Sequence, residues 1–176
     1  MSVLRTPVGK GDHVQGNPSA MVELVEYGDY QCPYCQRAYP IIKRMQREFG
    51  EDLKFVFRNF PLTNMHSQAM QAAIATEAAA RQGLYWEMHD YLFEHHEDFS
   101  IETLVSYANI LGLDAELFKN DMEKMSAELT SKVEADKYGG LRSGVNGTPT
   151  FFINGERFNG DWQGNDLLFA IGAIIR

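Results

Sequence analysis

The chain carries only two cysteines, Cys32 and Cys35, and they lie three positions apart where the hydrophobic pattern changes period. Upstream, Val22, Leu24, Val25 and Tyr27 make a short β-rich segment that Gly28 and Asp29 break. Downstream, Ala38, Ile41, Ile42, Met45 and Phe49 recur at helical spacing, and Gly50 supplies the stop. Pro33 suits the first helical position, because its missing N–H would have no partner there. Cys32 is therefore expected at the cap of a helix that directly follows a strand, with Cys35 in the first turn.

The next segment alternates Phe55 and Phe57 with Lys54, Val56 and Arg58, and stops before Pro61. It completes a β-α-β unit, for which parallel pairing and a right-handed crossover are expected. Residues 64–143 read as helical throughout. An alanine-rich helix runs from Ser67 to Gln82 and closes at Gly83; a second carries Leu84, Met88, Tyr91 and Leu92; a third follows Ser100. A fourth begins at Asp114, with Leu113 and Phe118 in the positions of a hydrophobic staple. A fifth carries Met125, Leu129 and Val133 and fades into Gly139-Gly140. Residues 150–154 return to strand, Asn154-Gly155 is a hairpin signal, and Leu167 to Ile175 mark a last helix. The fold class is α/β: a central mixed β-sheet flanked by helices, with an inserted all-α subdomain. The expected organisation is an N-terminal arm and first part of the α/β unit over 1–63, the insertion over 64–143 and the second part over 144–176. The Gly- and Pro-rich first twenty residues read as an arm or edge segment.

A chain of 176 residues can bury a core without staples. Its net charge of −8 repels phosphate backbones, which argues against nucleic acid as a partner. No window approaches the run of about 18 apolar residues that a membrane span needs. No apolar leader precedes residue 20, so a cytoplasmic location is expected as written, or an extracytoplasmic one if a signal was removed. Two thiols are too few for a disulfide scaffold or a zinc ribbon. One C-x-x-C reads as a redox pair, with no metal and no cofactor.

Disulfide exchange needs a thiolate, access and a resolving thiol. Unpaired N–H groups at a helix N-terminus favour negative charge, so Cys32 is expected to attack and the more buried Cys35 to resolve. Pro33 and Tyr34, between them, are expected to touch substrate and tune the couple. A second element, Gly147-Thr148-Pro149-Thr150, directly precedes a strand. A cis bond before Pro149 would expose Thr148 backbone beside the sulfurs, where a substrate peptide can pair in extended form.

EYGDYQCPYC at 26–35 together with GTPTFFING at 147–155 resembles the thioredoxin superfamily, and the long helical insertion resembles its DsbA-like branch. RNFPL at 58–62, GLYWEMHDYLFE at 84–95 and GNPSA at 16–20 are similar to that branch too. The resemblance implies a thioredoxin fold, Cys32 as nucleophile, Cys35 as resolving cysteine, Pro149 as the cis-proline and Thr148 as the substrate-touching residue before it. It places Glu26 at the buried acidic position beneath the disulfide, with Arg58 as its cationic partner. Pro-Tyr stands between the cysteines instead of the Pro-His of strongly oxidising members. With Asp29 nearby, this points to a less oxidising couple.

The partners implied are protein or peptide thiols and disulfides, with glutathione or a thioredoxin-type reductase as candidate electron partners. Two further readings stand beside this one: a glutathione-coupled reductase, and a binding or chaperone module that does not turn over or holds an iron–sulfur cluster between two chains. His89, His95 and His96 lack metal-binding spacing and read as a solvated helix end; His13 and His66 read as isolated. Trp86, Tyr85, Tyr91 and Phe93 read as insertion core, as do Met65, Met70, Met88, Met122 and Met125.

Overall fold

The computed structural model describes residues 2–124 and 126–176. Strands β1 (His13–Gly16), β2 (Val22–Gly28), β3 (Leu53–Asn59), β4 (Thr150–Ile153) and β5 (Glu156–Arg157) form one mixed sheet in the order β1-β3-β2-β4-β5. β2 and β3 pair in parallel through the crossover helix α1 (Pro33–Phe49), and the other pairs are antiparallel. Between β3 and β4 lie α2 (Ala69–Ala80), α3 (Tyr85–Glu94), α4 (Ile101–Ile110), α5 (Ala115–Lys124) and α6 (Ser126–Arg142); α7 (Asp166–Ile175) follows the hairpin.

Local chemistry accounts for several boundaries. Ser100 caps α4 by accepting from the Thr103 amide, and Asp114 caps α5 by accepting from the Leu117 amide at 2.9 Å. Asn154 and Gly155 both take positive φ, 48° and 83°, as a two-residue turn of the I′ kind requires. The first helix of the insertion is shorter than expected: residues 67–68 form a turn, and His66 and Gln68 are bonded to Asp29 and Gln31 in the loop before α1. Met125 lies outside the described residues.

The sheet separates two cores by strand alternation. Val22, Leu24, Phe55, Phe57 and Phe151 face α1, α3 and α7, whereas Val25, Tyr27, Val56 and Phe152 face the other way, toward Phe60 and Val145. α6 does not fade at Gly139-Gly140; it continues to Arg142. The glycines instead let it approach the sheet. A Cβ on Gly140 would lie 2.9 Å from the Phe60 ring and 3.0 Å from the Tyr27 ring. Alanine there gains about 1 kcal/mol of helix propensity but overpacks two ring contacts at a cost of about 1–3 kcal/mol. Gly140→Ala is expected to destabilise the protein by up to about 2 kcal/mol, read as a lowered urea midpoint; a raised midpoint would refute the close packing.

The N-terminal arm borders both edges of the sheet. His13–Gly16 pairs with β3, and Val3 bridges to Glu156 beside β5. Arg58 pins this arm. Its guanidinium donates to both Asp12 carboxylate oxygens (2.8 and 2.9 Å), the Thr6 and Pro7 carbonyls and the Tyr27 hydroxyl. All five donors are thereby used. Arg58 is therefore not the partner of Glu26. In the parallel register Glu26 sits opposite Phe57 and Tyr27 opposite Arg58, so Glu26 and Arg58 point to opposite faces of the sheet.

Candidate functional site

The site forms where β2 ends and α1 begins. Gly28 closes the strand beside Phe57; a Cβ there would sit 2.5 Å from that ring and 3.1 Å from Glu26 Oε1. The chain turns through Asp29 to Gln31, and Cys32 caps α1 in extended backbone, with its N–H donating to the Asp29 carbonyl at 3.1 Å. Pro33 and Tyr34 stand exposed on the first turn, and the Arg37 guanidinium lies 4.6 Å over the Tyr34 ring. Cys35 is fully buried under the same turn. The antiparallel register of β2 with β4 sets Tyr27 opposite Thr150, which brings residues 147–149 beside the helix start. The Thr148–Pro149 bond is cis, and Cys32 Sγ lies 3.6 Å from the Thr148 carbonyl oxygen.

The two thiols are unbonded and chemically unequal. A hydrogen bond from the Cys35 thiol, with help from the Thr148 hydroxyl and the Cys35 and Tyr34 amides, brings the Cys32 thiol down from 9.0 to about 5 against the opposing effect of burial. Burial pushes Cys35 well above the ordinary thiol range; its hydrogen bond to Cys32 and the Glu26 charge push the same way, and the Asp29 amide opposes. Glu26 is enclosed, its Oε1 has no hydrogen-bond partner, and burial followed by the Cys32 charge raises it to about 8. At neutral pH the arrangement is a Cys32 thiolate above a protonated Cys35 and a protonated Glu26. The buried Thr148 hydroxyl has no other partner, so its donor capacity is directed to the Cys32 sulfur.

The structure thus brings Glu26, Cys32, Cys35, Thr148 and Pro149 together and leaves Pro33 and Tyr34 at the rim. It also revises several histidines. His66 is not isolated: its Nδ1 lies 2.9 Å from Asp29 Oδ2. His13 pairs with Glu77 at 3.0 Å and stacks on Tyr85. His89 is no solvated helix end; it is buried among Tyr30, Phe57, Trp86 and Phe93, where burial lowers its pKa. Met65 is exposed, not core, whereas Met88 and Met122 are buried. The Asp29–His66 contact joins residues 37 apart, and no local pattern in the sequence announces it. Among the described residues no helix is long and apolar enough to cross a membrane.

Comparison with known proteins agrees with this geometry. The Thioredoxin family model matches residues 9–172. The chain is 40% identical over 173 residues to a protein of Mycolicibacterium gilvum named Na(+)/H(+) antiporter NhaA 1, covering 98% of this chain and 28% of that protein. A similarly named protein of Herminiimonas arsenicoxydans is 37% identical over 175 residues, covering 99% of this chain and 27% of that protein. The chain therefore spans little more than a quarter of these relatives. Among solved structures, BdbD from Bacillus subtilis superposes with a TM-score of 0.86 at 26% identity, covering 99% of this chain and 98% of that one. A thioredoxin-like oxidoreductase from Silicibacter pomeroyi gives 0.82 at 28% identity, covering 94% and 92%. The fold is shared with alpha-DsbA2 of Wolbachia pipientis, a thiol-disulfide exchange protein, with a TM-score of 0.81 at 21% identity over 94% of this chain and 88% of that one. A central sheet carrying C-x-x-C at the cap of its crossover helix, a helical insertion and this match to the family place the chain in the thioredoxin family, with the fold of the DsbA-like thiol–disulfide oxidoreductases.

Proposed function

We propose that the chain exchanges disulfides with protein thiols and works in the oxidising direction. The observation that carries this reading is the stabilised Cys32 thiolate above a buried, protonated Cys35. In the oxidised protein a substrate thiolate attacks Cys32 Sγ. The Cys32–Cys35 bond breaks, Cys35 leaves with the electron pair and takes a proton from Glu26, and a mixed disulfide forms on Cys32. A second substrate thiolate attacks the substrate sulfur, and Cys32 departs as a thiolate. The substrate has lost two electrons and the Cys32–Cys35 pair has gained them. The Thr148 backbone beside the sulfurs holds the substrate in extended form, and Pro33 and Tyr34 form the rim it crosses.

Magnitudes favour this direction. Lowering the thiol from 9.0 to about 5 raises the thiolate fraction at pH 7 about a hundredfold. Nucleophilicity falls with basicity by roughly 40–100-fold over the same span. Attack by Cys32 is thus hardly accelerated. Departure of Cys32 is, and the dithiol form is stabilised, which makes the couple an oxidant.

The equilibrium reduction potential against dithiothreitol buffers tests the reading. A Cys32 thiol between those of thioredoxin (about 7) and DsbA (about 3.5) gives an expected potential between theirs, about −270 and about −120 mV. That is less oxidising than DsbA, as Pro-Tyr and Asp29 suggest. A potential near that of thioredoxin, about −270 mV, would overturn the direction and favour a reductase. The antiporter activity named for the longer relatives is not assigned to this segment, whose reading rests on the thiol site.

A further inference from the structure

We propose that Asp29 and His66 are a positioning pair that aims the Asp29 amide at the Cys35 sulfur and thereby governs closure of the Cys32–Cys35 disulfide. This rests on the reading of Cys32 and Cys35 as an exchanging pair. The Asp29 amide donates to Cys35 Sγ at 3.5 Å, and its carbonyl accepts from the Cys32 amide at 3.1 Å. One residue therefore meets both reacting positions through its backbone. Its carboxylate has no exposure and accepts three bonds: from the Gln31 amide at 2.8 Å, the Leu62 amide at 2.9 Å and His66 Nδ1 at 2.9 Å. Two of these donors are backbone groups, so His66 is the one that substitution can remove. Its Nδ1 must carry a proton toward the carboxylate. A second tie runs parallel: the Gln68 amide donates to Gln31 Oε1 at 2.9 Å. Residues 62–68 thus brace the turn that carries Cys32.

The consequence falls on Cys35 and not on Cys32. When Cys35 attacks the sulfur of a Cys32 mixed disulfide, its thiolate is buried, and the Asp29 N–H is the backbone donor that stabilises it. Loss of the His66 bond leaves a buried carboxylate short of one donor, and the turn relaxes toward another partner. The amide then loses its aim.

Reaction of the reduced protein with dithiobis-nitrobenzoate separates the two thiols. In the first phase Cys32 thiolate attacks the reagent disulfide and releases one thionitrobenzoate. In the second, Cys35 thiolate attacks Cys32 Sγ, closes the protein disulfide and releases another. His66→Leu keeps bulk without the donor, and His66→Asn keeps a donor near the Nδ1 position. We expect the second phase of His66→Leu to slow about tenfold, the worth of one hydrogen bond to a charged group. Its first phase, and both phases of His66→Asn, should stay within about twofold of the parent. His66→Ala serves in place of the leucine variant if that variant does not fold. A second phase equal to the parent's in the donor-less variant, or equally slow in His66→Asn, overturns the positioning role while leaving the exchange reading intact. Release of only one thionitrobenzoate by the parent protein overturns both.

Discussion

Cys32→Ser is expected to abolish disulfide exchange, and Cys35→Ser to accumulate mixed disulfides on Cys32. The two outcomes differ because the thiols differ. Cys32 is the thiolate, held down at about 5, and it sits against the Thr148 carbonyl where a substrate would pair. Without it, Cys35 has no path to substrate, since it is fully buried. Activity should fall to the uncatalysed level, a loss of several orders of magnitude of the kind seen on removing a nucleophile. With Cys32 present and Cys35 replaced, the first exchange proceeds and the intramolecular escape is lost. The measurement is oxidation of a reduced protein substrate, followed by non-reducing electrophoresis of each variant. Trapped adducts on Cys32→Ser, or full turnover by Cys35→Ser, would contradict the assignment of attacking and resolving thiols.

Glu26→Gln should act on stability and on rate in opposite directions. The carboxyl lies at about 8 in the folded protein against an ordinary 4.5. Between those values the folded state binds the proton and the unfolded state does not, so stability falls as pH rises from about 4.5 to about 8 and is flat beyond. The disulfide form is the right one to titrate; burial, the larger cause, still raises Glu26 there, while the contribution of the Cys32 charge is absent and the fall ends at a lower pH. In the dithiol form, Cys32 contributes the opposite slope, its stabilisation being present at high pH and lost as pH falls through about 5. Oxidised Glu26→Gln is expected to show no such fall and to be the more stable protein at pH 8. It should also close its disulfide about 10- to 100-fold more slowly, because no carboxylate accepts the Cys35 proton. In the parent protein that step should speed up as rising pH ionises Glu26, whose burial holds it above the ordinary carboxylate range. Urea titrations across pH and stopped-flow closure rates check the two halves separately. Equal pH slopes and equal rates in both proteins would remove Glu26 from the mechanism.

Arg58 and Glu26 show how a sequence pattern can pair two buried residues wrongly. Both lie on neighbouring strands, and each is buried. Whether they share a face depends on the register between β2 and β3, and a shift of one residue would have put them together. The same dependence hid the arm. Asp12 and the Thr6 and Pro7 carbonyls read as loop chemistry, yet they complete Arg58 on the far side of the sheet. The glycines of α6 read as a helix end, and they are instead the places where the helix touches Phe60 and Tyr27.

What the sequence determined by itself is the chemistry that operates over a few residues. The switch of period at Cys32, proline in the first turn, the Ser100 and Asp114 caps and the Asn154-Gly155 turn act within one turn or one hairpin, so their energetics are local and legible. The attacking and resolving roles proposed for Cys32 and Cys35 rest on the same short range. Tertiary structure decided which distant groups complete that chemistry. Thr148 reaches Cys32 from 116 positions away, and His66 reaches Asp29 from 37. Glu26 owes its raised pKa to enclosure by the whole fold. These depend on strand register, loop path and burial, which are fixed by packing summed over the chain and leave no mark in any single stretch of it.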